Sequence, residues 1–333
     1  MPGFLLLILV VILALVFDYV NGFHDTANAI ATSVTTRALS PRRAIILAAS
    51  LNFLGALSGT AVAKTIGNSI IKPGMVDEKV LILALAGAIS WNLFTWYFGI
   101  PSSSSHALIG GLIGASVAMF GYHSVNWPGL GTIVFFLIAS TVMGLMVGAL
   151  VMTVLSRVFR GASPNRMNRT FRRLQVLSAC MMSFSHGSND AQKSMGIITM
   201  ALLGAGHIST FRVPFWVMLA CATAMGLGTA AGGWRIIANL GSKIFRIEPI
   251  NGFAADFSSS VVIYTASVMG YPVSTTHVVS SSIIGVGCAK QMTAVRWETA
   301  RQLVTAWLIT IPSTAFISLI FCKLLELCIG SHI

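Results

Sequence analysis

The chain has 333 residues, of which 55% are hydrophobic and 9% are charged, and its mean hydropathy is +0.83. Ordinary soluble domains carry roughly 25% charged residues, so this composition excludes that class and indicates a polytopic membrane protein. The net charge of +12 is explained by basic loops on one side of a membrane, and no nucleic-acid partner is expected. The five cysteines show no metal-ligand spacing, so we expect no resident metal or cofactor.

Ten segments are apolar and long enough to cross a hydrocarbon core of about 30 Å, which takes about 20 residues. They are residues 3–20, 44–63, 80–100, 103–120, 130–155, 174–203, 213–233, 252–270, 273–289 and 302–328. Polar or glycine-rich pieces interrupt several of them, and the count rises to twelve if the broken segments are counted separately. The first segment lacks the basic start and the cleavage site of a signal peptide, so we expect it to be retained.

Lysines and arginines concentrate in alternate loops, which orients the predicted spans in a cell (plasma or inner) membrane. The connection 157–173 carries six arginines and no acid, and with 37–43, 235–246 and 290–301 it brings the basic count on one side to 15 against 4 on the other. These loops are therefore predicted to be cytoplasmic and both termini to lie outside. Loop 157–173 is also a candidate docking segment for a soluble accessory protein, although its role in setting the topology is the simpler interpretation.

Two motifs each occur twice, in the same order along the chain. GFHDTANAIATSV starts at Gly22 and GSNDAQKSMGIIT at Gly187, while GIPSSSSHALIGG surrounds Pro101 and GYPVSTTHVVSS surrounds Pro272. The two offsets, 165 and 171 residues, are nearly equal and indicate a duplication.

The duplication divides the chain into a first repeat, 1–156, a linker, 157–173, and a second repeat, 174–333. Five predicted spans separate equivalent points, so the two repeats should have inverted topology. We therefore predict an all-α membrane protein with broken helices or re-entrant hairpins and a site near the midplane where the repeats meet.

The serine- and threonine-rich motifs have the character of helix starts. Proline suits the first turn, hydroxyls cap free N–H groups, and the positive end of a helix binds tetrahedral oxyanions. The candidate anion ligands are Ser103, Ser104, Ser105, Ser274, Thr275 and Thr276. The alternative is that these hydroxyls cap a re-entrant hairpin or pack helices together.

The other motif pair places Asp25 and Asp190 at membrane depth, where charged residues usually mark ion or proton pathways. Each carboxylate could bind a coupling cation or carry a proton, and the alternative is an ion pair that joins two helices. Lys193 lies three residues after Asp190, so its ammonium could contact the anion or neutralise Asp190.

Four of the seven histidines lie in or beside these motifs and could carry a proton or donate to an anion. They are His24, His106, His186 and His277. A packing role is the alternative for each.

The four motifs together resemble those of the inorganic phosphate transporter family. The resemblance spans nearly the whole chain, and it implies a homodimeric inverted-repeat transporter that imports inorganic phosphate with a cation. Carried over residue by residue, the implied phosphate and cation site comprises Asp25, Asn28, Ser103 to Ser105, Asn189, Asp190 and Ser274 to Thr276.

Two departures from the sodium-coupled pattern favour proton coupling. His24 and Lys193 each replace an asparagine of that pattern; histidine adds a titratable group, and a fixed positive charge repels sodium. Similarity to the bacterial branch also implies that phosphate can travel as a complex with a divalent metal.

Three alternatives remain open at this point: sodium-coupled phosphate symport, a permease for sulfate or another tetrahedral oxyanion, and an intramembrane hydrolase. The hydrolase is disfavoured because no G-x-S-x-G elbow occurs and because a single active site does not explain paired motifs.

Overall fold

The computed structural model describes residues 2–72, 74–232 and 247–329. Within them the chain forms eleven α-helices, two single-turn 3-10 helices and no strand, with one isolated β-bridge between Ile71 and Val125. Three basic residues of a loop predicted to be cytoplasmic, Arg235, Lys243 and Arg246, lie outside the described residues.

The order of the helices recurs along the chain. The first six are α1 (Pro2–Thr35), α2 (Pro41–Ala56), α3 (Ala61–Ser69), α4 (Glu78–Phe98), α5 (Ser104–Phe120) and α6 (Trp127–Val158). The next five are α7 (Pro164–Gly204), α8 (Phe215–Ala231), α9 (Pro249–Val268), α10 (Thr275–Gln291) and α11 (Trp297–Ile329). Each series begins and ends with a helix of more than 30 residues and places a 17-residue helix, α5 or α10, before the last one.

The distribution of polarity is the reverse of that in a soluble protein. Phe135, Ile138 and Leu150 of α6 are 61–63% exposed, whereas Asp25 and Lys193 are at most 2% exposed. Apolar side chains on the outside need lipid as their solvent, and buried polar groups need partners inside the protein. The chain is therefore an all-α, multi-pass membrane protein, as the composition predicts.

Fewer helices than the ten predicted spans have the length and apolarity of an independent span. Among the described residues, α1, α4, α6 and α11 do, and α2 with α3 forms a fifth candidate that is bent by 67°. The physical reason is that α5, α8 and α10 have only 17 residues each, while α7 and α9 carry many polar side chains that other helices cover. The polar side chains of α7 and α9 therefore depend on protein neighbours.

Two predicted boundaries also differ from the structure. The arginine-rich linker 157–173 is mostly helical, because α6 ends at Val158 and α7 begins at Pro164, where proline suits the first turn. The first span, predicted as 3–20, continues through the GFHDTANAIATSV motif to Thr35, since its polar side chains find buried partners.

The first helix of each series packs against the second helix of the other: α1 contacts α8, and α7 contacts α2. The motif glycines explain why these helices approach so closely. A Cβ atom on Gly22 would lie 2.5 Å from the Met225 carbonyl oxygen, and one on Gly187 would overlap the carbonyl oxygen of Asn52. Helices α5 and α10 also pack against the other series: α5 packs against α11, and α10 packs against α6.

Candidate functional site

The short helices α5 and α10 begin side by side at the centre of the fold. Each follows an extended segment, and the side chains of Ser103 and Ser274 accept hydrogen bonds from the backbone N–H groups of His106 (3.2 Å) and His277 (3.3 Å). The Ser105 hydroxyl donates to the Val273 carbonyl across the junction at 3.0 Å. The two serine-bearing tips that the sequence predicts to share a site therefore lie in contact.

Asp25 of α1 lies against both tips. Its carboxylate is 2.7 Å from His24 Nδ1 and accepts longer hydrogen bonds, of 3.4 Å each, from the hydroxyls of Ser104 and Thr276. Asn28, one turn further along α1, donates to the Thr276 hydroxyl at 2.8 Å. Helix α1 thus connects the tip of its own series with the tip of the other.

Asp190 of α7 occupies the matching position on the other side. It accepts hydrogen bonds from Lys193 Nζ at 2.5 Å, from the Thr275 hydroxyl at 3.1 Å and from Asn21 Nδ2 at 3.4 Å. His186 Nε2 lies 3.4 Å from the same carboxylate, in an electrostatic contact without hydrogen-bond geometry. Thr275 is the counterpart of Ser104, so each aspartate accepts from a hydroxyl of its own series.

The two aspartates and His186 form one buried cluster. One ligand atom of each lies within 4.8 Å of the others, and the three side chains are at most 2% exposed. The sequence interpretation assigned no metal ligands and treated His186 as an accessory residue. Such a cluster of two carboxylates and an imidazole attracts a cation, and its burial keeps it away from solvent.

Lys193 is the fixed cation of the site. Its ammonium donates to Asp190 Oδ1 (2.5 Å), to the Ser105 hydroxyl (2.5 Å) and to the Val273 carbonyl oxygen (3.1 Å). A carboxylate, a hydroxyl and a carbonyl are also the oxygen types that hard metal cations prefer. The side chain is 1% exposed, so the ammonium holds a position among oxygens that could otherwise bind an ion.

The remaining candidate residues lie at the edges of this site. Asn189 bonds to the Ser267 hydroxyl (3.0 Å) and accepts from the Val273 N–H (3.3 Å), which holds the segment leading into α10. The rings of His106 and His277 lie in contact, with their centroids 4.4 Å apart and their planes tilted by 38°. These contacts agree equally well with two roles for Asn189, His106 and His277: packing or capping of helices, and direct contact with the anion or the proton.

Three contributors to the site were not selected from the sequence: Asn21, Asn52 and Thr95. Asn21 bonds to Asp190, the Asn52 side-chain oxygen lies 3.0 Å from His186 Nδ1, and the Thr95 hydroxyl lies 3.2 Å from His24 Nε2. Asn52 is an isolated amide in an apolar predicted span, and that signal could have marked it.

Gln192 has a structural role. Its side-chain oxygen accepts from the Val62 N–H at 2.8 Å and from the Ala63 N–H at 3.4 Å. It therefore caps α3, whose N-cap residue Thr60 makes no side-chain cap of its own.

Comparison with known proteins identifies the lineage. The sequence profile of the phosphate transporter family matches residues 21–318, which include every residue of the site described above. The chain belongs to the phosphate transporter family. The resemblance seen in the four motifs is thereby confirmed, and because the family consists of transporters, the hydrolase alternative is excluded.

This phosphate transporter family member is 50% identical to a protein of Bacillus subtilis (strain 168) named "Probable low-affinity inorganic phosphate transporter". The alignment spans 314 residues, which are 93% of this chain and 94% of the relative. A Rhizobium meliloti (strain 1021) protein of the same name is 47% identical over 318 residues, which cover 95% of each chain. A solved structure described as "The sodium-dependent phosphate transporter" has a TM-score of 0.87 and 26% identity, and it covers 97% of this chain and 99% of that one.

Proposed function

We propose that this family member imports inorganic phosphate by proton symport, with alternating access around the buried site between α5 and α10. The observation that carries the proposal is the position of Lys193 Nζ among the oxygens of Asp190, Ser105 and Val273. A permanent ammonium at this place takes the oxygens that a coupling sodium ion would need, and its charge repels sodium.

The charges of the site then require one mobile positive charge. Asp25 and Asp190 carry two negative charges when both are ionised, and Lys193 neutralises one of them. The remaining carboxylate would repel phosphate unless a cation or a proton joined it. Symport follows, because the anion binds well only when the mobile charge is present.

A chain of hydrogen-bonding groups supports the proton as that mobile charge. The Ser102 hydroxyl donates to the Thr95 hydroxyl (2.8 Å), which lies 3.2 Å from His24 Nε2, and His24 Nδ1 lies 2.7 Å from Asp25. Thr95 and Ser102 also line a cavity of about 660 Å³. Each group in this chain can accept one proton and pass one on, so a proton from water in the cavity could reach Asp25.

Sodium coupling is the competing hypothesis, and two observations favour it. The cluster of Asp25, His186 and Asp190 is a candidate cation site, and the structural neighbour is described as sodium-dependent. The decisive measurement is phosphate uptake into proteoliposomes with a pH gradient or a sodium gradient imposed separately. Uptake that follows the sodium gradient and ignores the pH gradient would refute proton coupling.

Phosphate is preferred over sulfate in this proposal because phosphate retains a protonated hydroxyl near neutral pH. That hydroxyl needs an acceptor, which Asp25 or Asp190 supplies, whereas the same carboxylates repel fully ionised sulfate. Excess unlabelled sulfate should therefore leave the uptake of labelled phosphate unchanged. Strong competition would instead identify a general tetrahedral-oxyanion permease.

Several wider features belong to the same proposal. The recurring helix order and the exchanged packing of α1, α7, α5 and α10 support two inverted repeats, 1–156 and 174–333. We propose a homodimer in the inner membrane, with the arginine-rich linker on the cytoplasmic side and open to an accessory protein. Co-transport of a divalent metal would add positive charge beside the two aspartates, and uptake of radioactive metal with and without phosphate tests it.

A further inference from the structure

Three arginines from separate parts of the chain converge on a cavity of about 870 Å³ at the end of α1. The cavity is lined by Thr36 and Arg37, which follow α1, by Asn168 and Arg172 in the first turns of α7, and by Arg296 just before α11. The three arginines are exposed, so their guanidinium groups are accessible from this face.

The cavity is positively charged overall. The acid in its lining, Glu248, accepts from Lys290 Nζ at 2.7 Å, so it does not offset the arginines. Helices α7 and α9 both start at the cavity, and the residues that precede them, Ser163 and Glu248, make no side-chain cap. Helix starts add partial positive charge and backbone donors to a site that already holds three guanidinium groups.

The backbone at Arg37 is unusual. Its φ of 57° makes it the non-glycine residue with positive φ among the residues that the structure describes. A left-handed position directly after a helix is normally occupied by glycine, and another residue there costs roughly 1–2 kcal/mol. The strain is consistent with a requirement for the guanidinium of Arg37, which glycine could not supply.

A polar stripe on α1 connects this cavity with the buried site. Asn21, Asp25, Asn28, Thr32 and Thr36 follow one another at steps of three or four residues, so they share one face of the helix. The helical bonding continues to the end of the stripe, because the Thr36 N–H bonds to the Thr32 carbonyl at 3.0 Å. Eleven residues separate Asp25 from Thr36, which is roughly 16 Å along a helix.

Each member of the stripe bonds to a residue from the second half of the chain. Beyond Asp25 and Asn28, the Thr32 hydroxyl lies 2.7–2.8 Å from both carboxylate oxygens of Asp256, and the Thr36 hydroxyl donates to Gln175 at 2.6 Å. Separation of the two halves along this seam would expose a continuous polar surface that ends among the three arginines.

We propose that the arginine cavity is a second anion site, which binds a phosphate group at one mouth of the route along α1. Two sources offer that chemistry, free inorganic phosphate and the headgroup of an anionic phospholipid. The role as a mouth rests on the proposed function, whereas anion binding by the cavity does not.

The test measures binding at each arginine separately. The whole protein in nanodiscs of neutral phosphatidylcholine is treated with phenylglyoxal, which modifies guanidinium groups, and the modification rate at every arginine is followed by peptide mass spectrometry. Inorganic phosphate should slow the modification of Arg37, Arg172 and Arg296 together, about tenfold when the site is nine-tenths occupied. Arg160, in the loop between α6 and α7, and Arg169, on α7, lie outside the cavity lining and should react at unchanged rates. Chloride matches the ionic strength in the control.

Variants and lipids make the result specific. R172Q/R296Q should abolish the protection of Arg37, while the matched pair R160Q/R169Q should preserve it. Protection by nanodiscs that contain phosphatidic acid, but not by free phosphate, would support the site and identify a lipid headgroup as its ligand. Equal rates at cavity and control arginines under both conditions would overturn the proposal. D25N protein, which lacks a carboxylate of the central site, should still show protection, so failure of the transport proposal is separately visible.

Discussion

Replacing Lys193 by asparagine tests how the site balances its charges. The K193N change removes the ammonium from three oxygens, those of Asp190, Ser105 and Val273, and leaves a buried carboxylate without its partner. Removing one member of a buried ion pair costs roughly 3–5 kcal/mol. Because 1.4 kcal/mol corresponds to about a tenfold change, proton-driven uptake should fall by about a hundredfold or more.

Sodium should partly rescue the K193N variant. The three oxygens that lose the ammonium are suitable ligands for a hard cation, and asparagine adds a neutral carbonyl oxygen beside them. The assay is the initial rate of labelled phosphate uptake into proteoliposomes with a fixed pH gradient, in sodium-free buffer and again with sodium. We expect sodium to raise the uptake rate of K193N about tenfold or more, because a bound sodium ion would restore part of the stabilisation that the lost ion pair supplied.

The control for K193N is K64N, which makes the same change in charge at an exposed position of α3 and should transport normally. Unchanged uptake by K193N would refute the reasoning, because the ammonium would then carry no part of the charge balance. Equal loss with and without sodium, in protein that remains folded and monodisperse, would show that Lys193 does not stand in the place of an ion.

Three further predictions use the same proteoliposomes or the purified protein. H24Q keeps hydrogen-bonding atoms beside Thr95 but cannot carry a proton. The rate of pH-driven net uptake should therefore fall about a hundredfold or more, in the range of a lost general acid–base group, while phosphate exchange at equal pH persists. Loss of both activities would assign His24 to phosphate binding. G187A should destabilise the protein by about 1–3 kcal/mol, because the new methyl group meets the Asn52 carbonyl oxygen. The control is G131A, whose Cβ meets nothing within 4 Å, and the thermal midpoint of G187A in detergent should be lower than that of G131A. Equal midpoints would contradict close packing of α7 against α2. R37G should leave the thermal midpoint nearly unchanged or raise it slightly, because glycine relieves the strain at φ 57°. It should nevertheless weaken phosphate protection of Arg172 against phenylglyoxal, and full protection would remove Arg37 from the anion site.

Much of the fold was readable from the sequence because charge is rare in this chain. An Asp or Lys in an apolar segment stands out, and two motifs repeated at similar offsets predict a duplication. Composition also gave the membrane class correctly. Among the described residues, fewer helices pass a test of length and apolarity alone than the ten predicted spans, because α7 and α9 carry polar side chains that other helices cover.

The pairings inside the site were less accessible. Ser104 and Thr275 could be selected because helix starts have a local signature. The contact between Asn21 and Asp190 joins residues 169 positions apart, and that between Asn52 and His186 spans 134 positions; no local spacing encodes either. The three oxygens around Lys193 likewise come from α5, α7 and the segment before α10, so only the folded chain reveals that the ammonium occupies a coordination site.

The exchange of helices between the two halves bears on the ancestry of the molecule. Since α1 needs α8 and α7 needs α2, a half-length ancestor could have completed its own structure only by associating with a second copy. Fusion of two such copies into one chain would release each copy from being identical to the other. Asn28 in one half corresponds in position to Lys193 in the other. Two identical chains cannot carry different residues at the same position, so this difference requires a single chain that contains both halves.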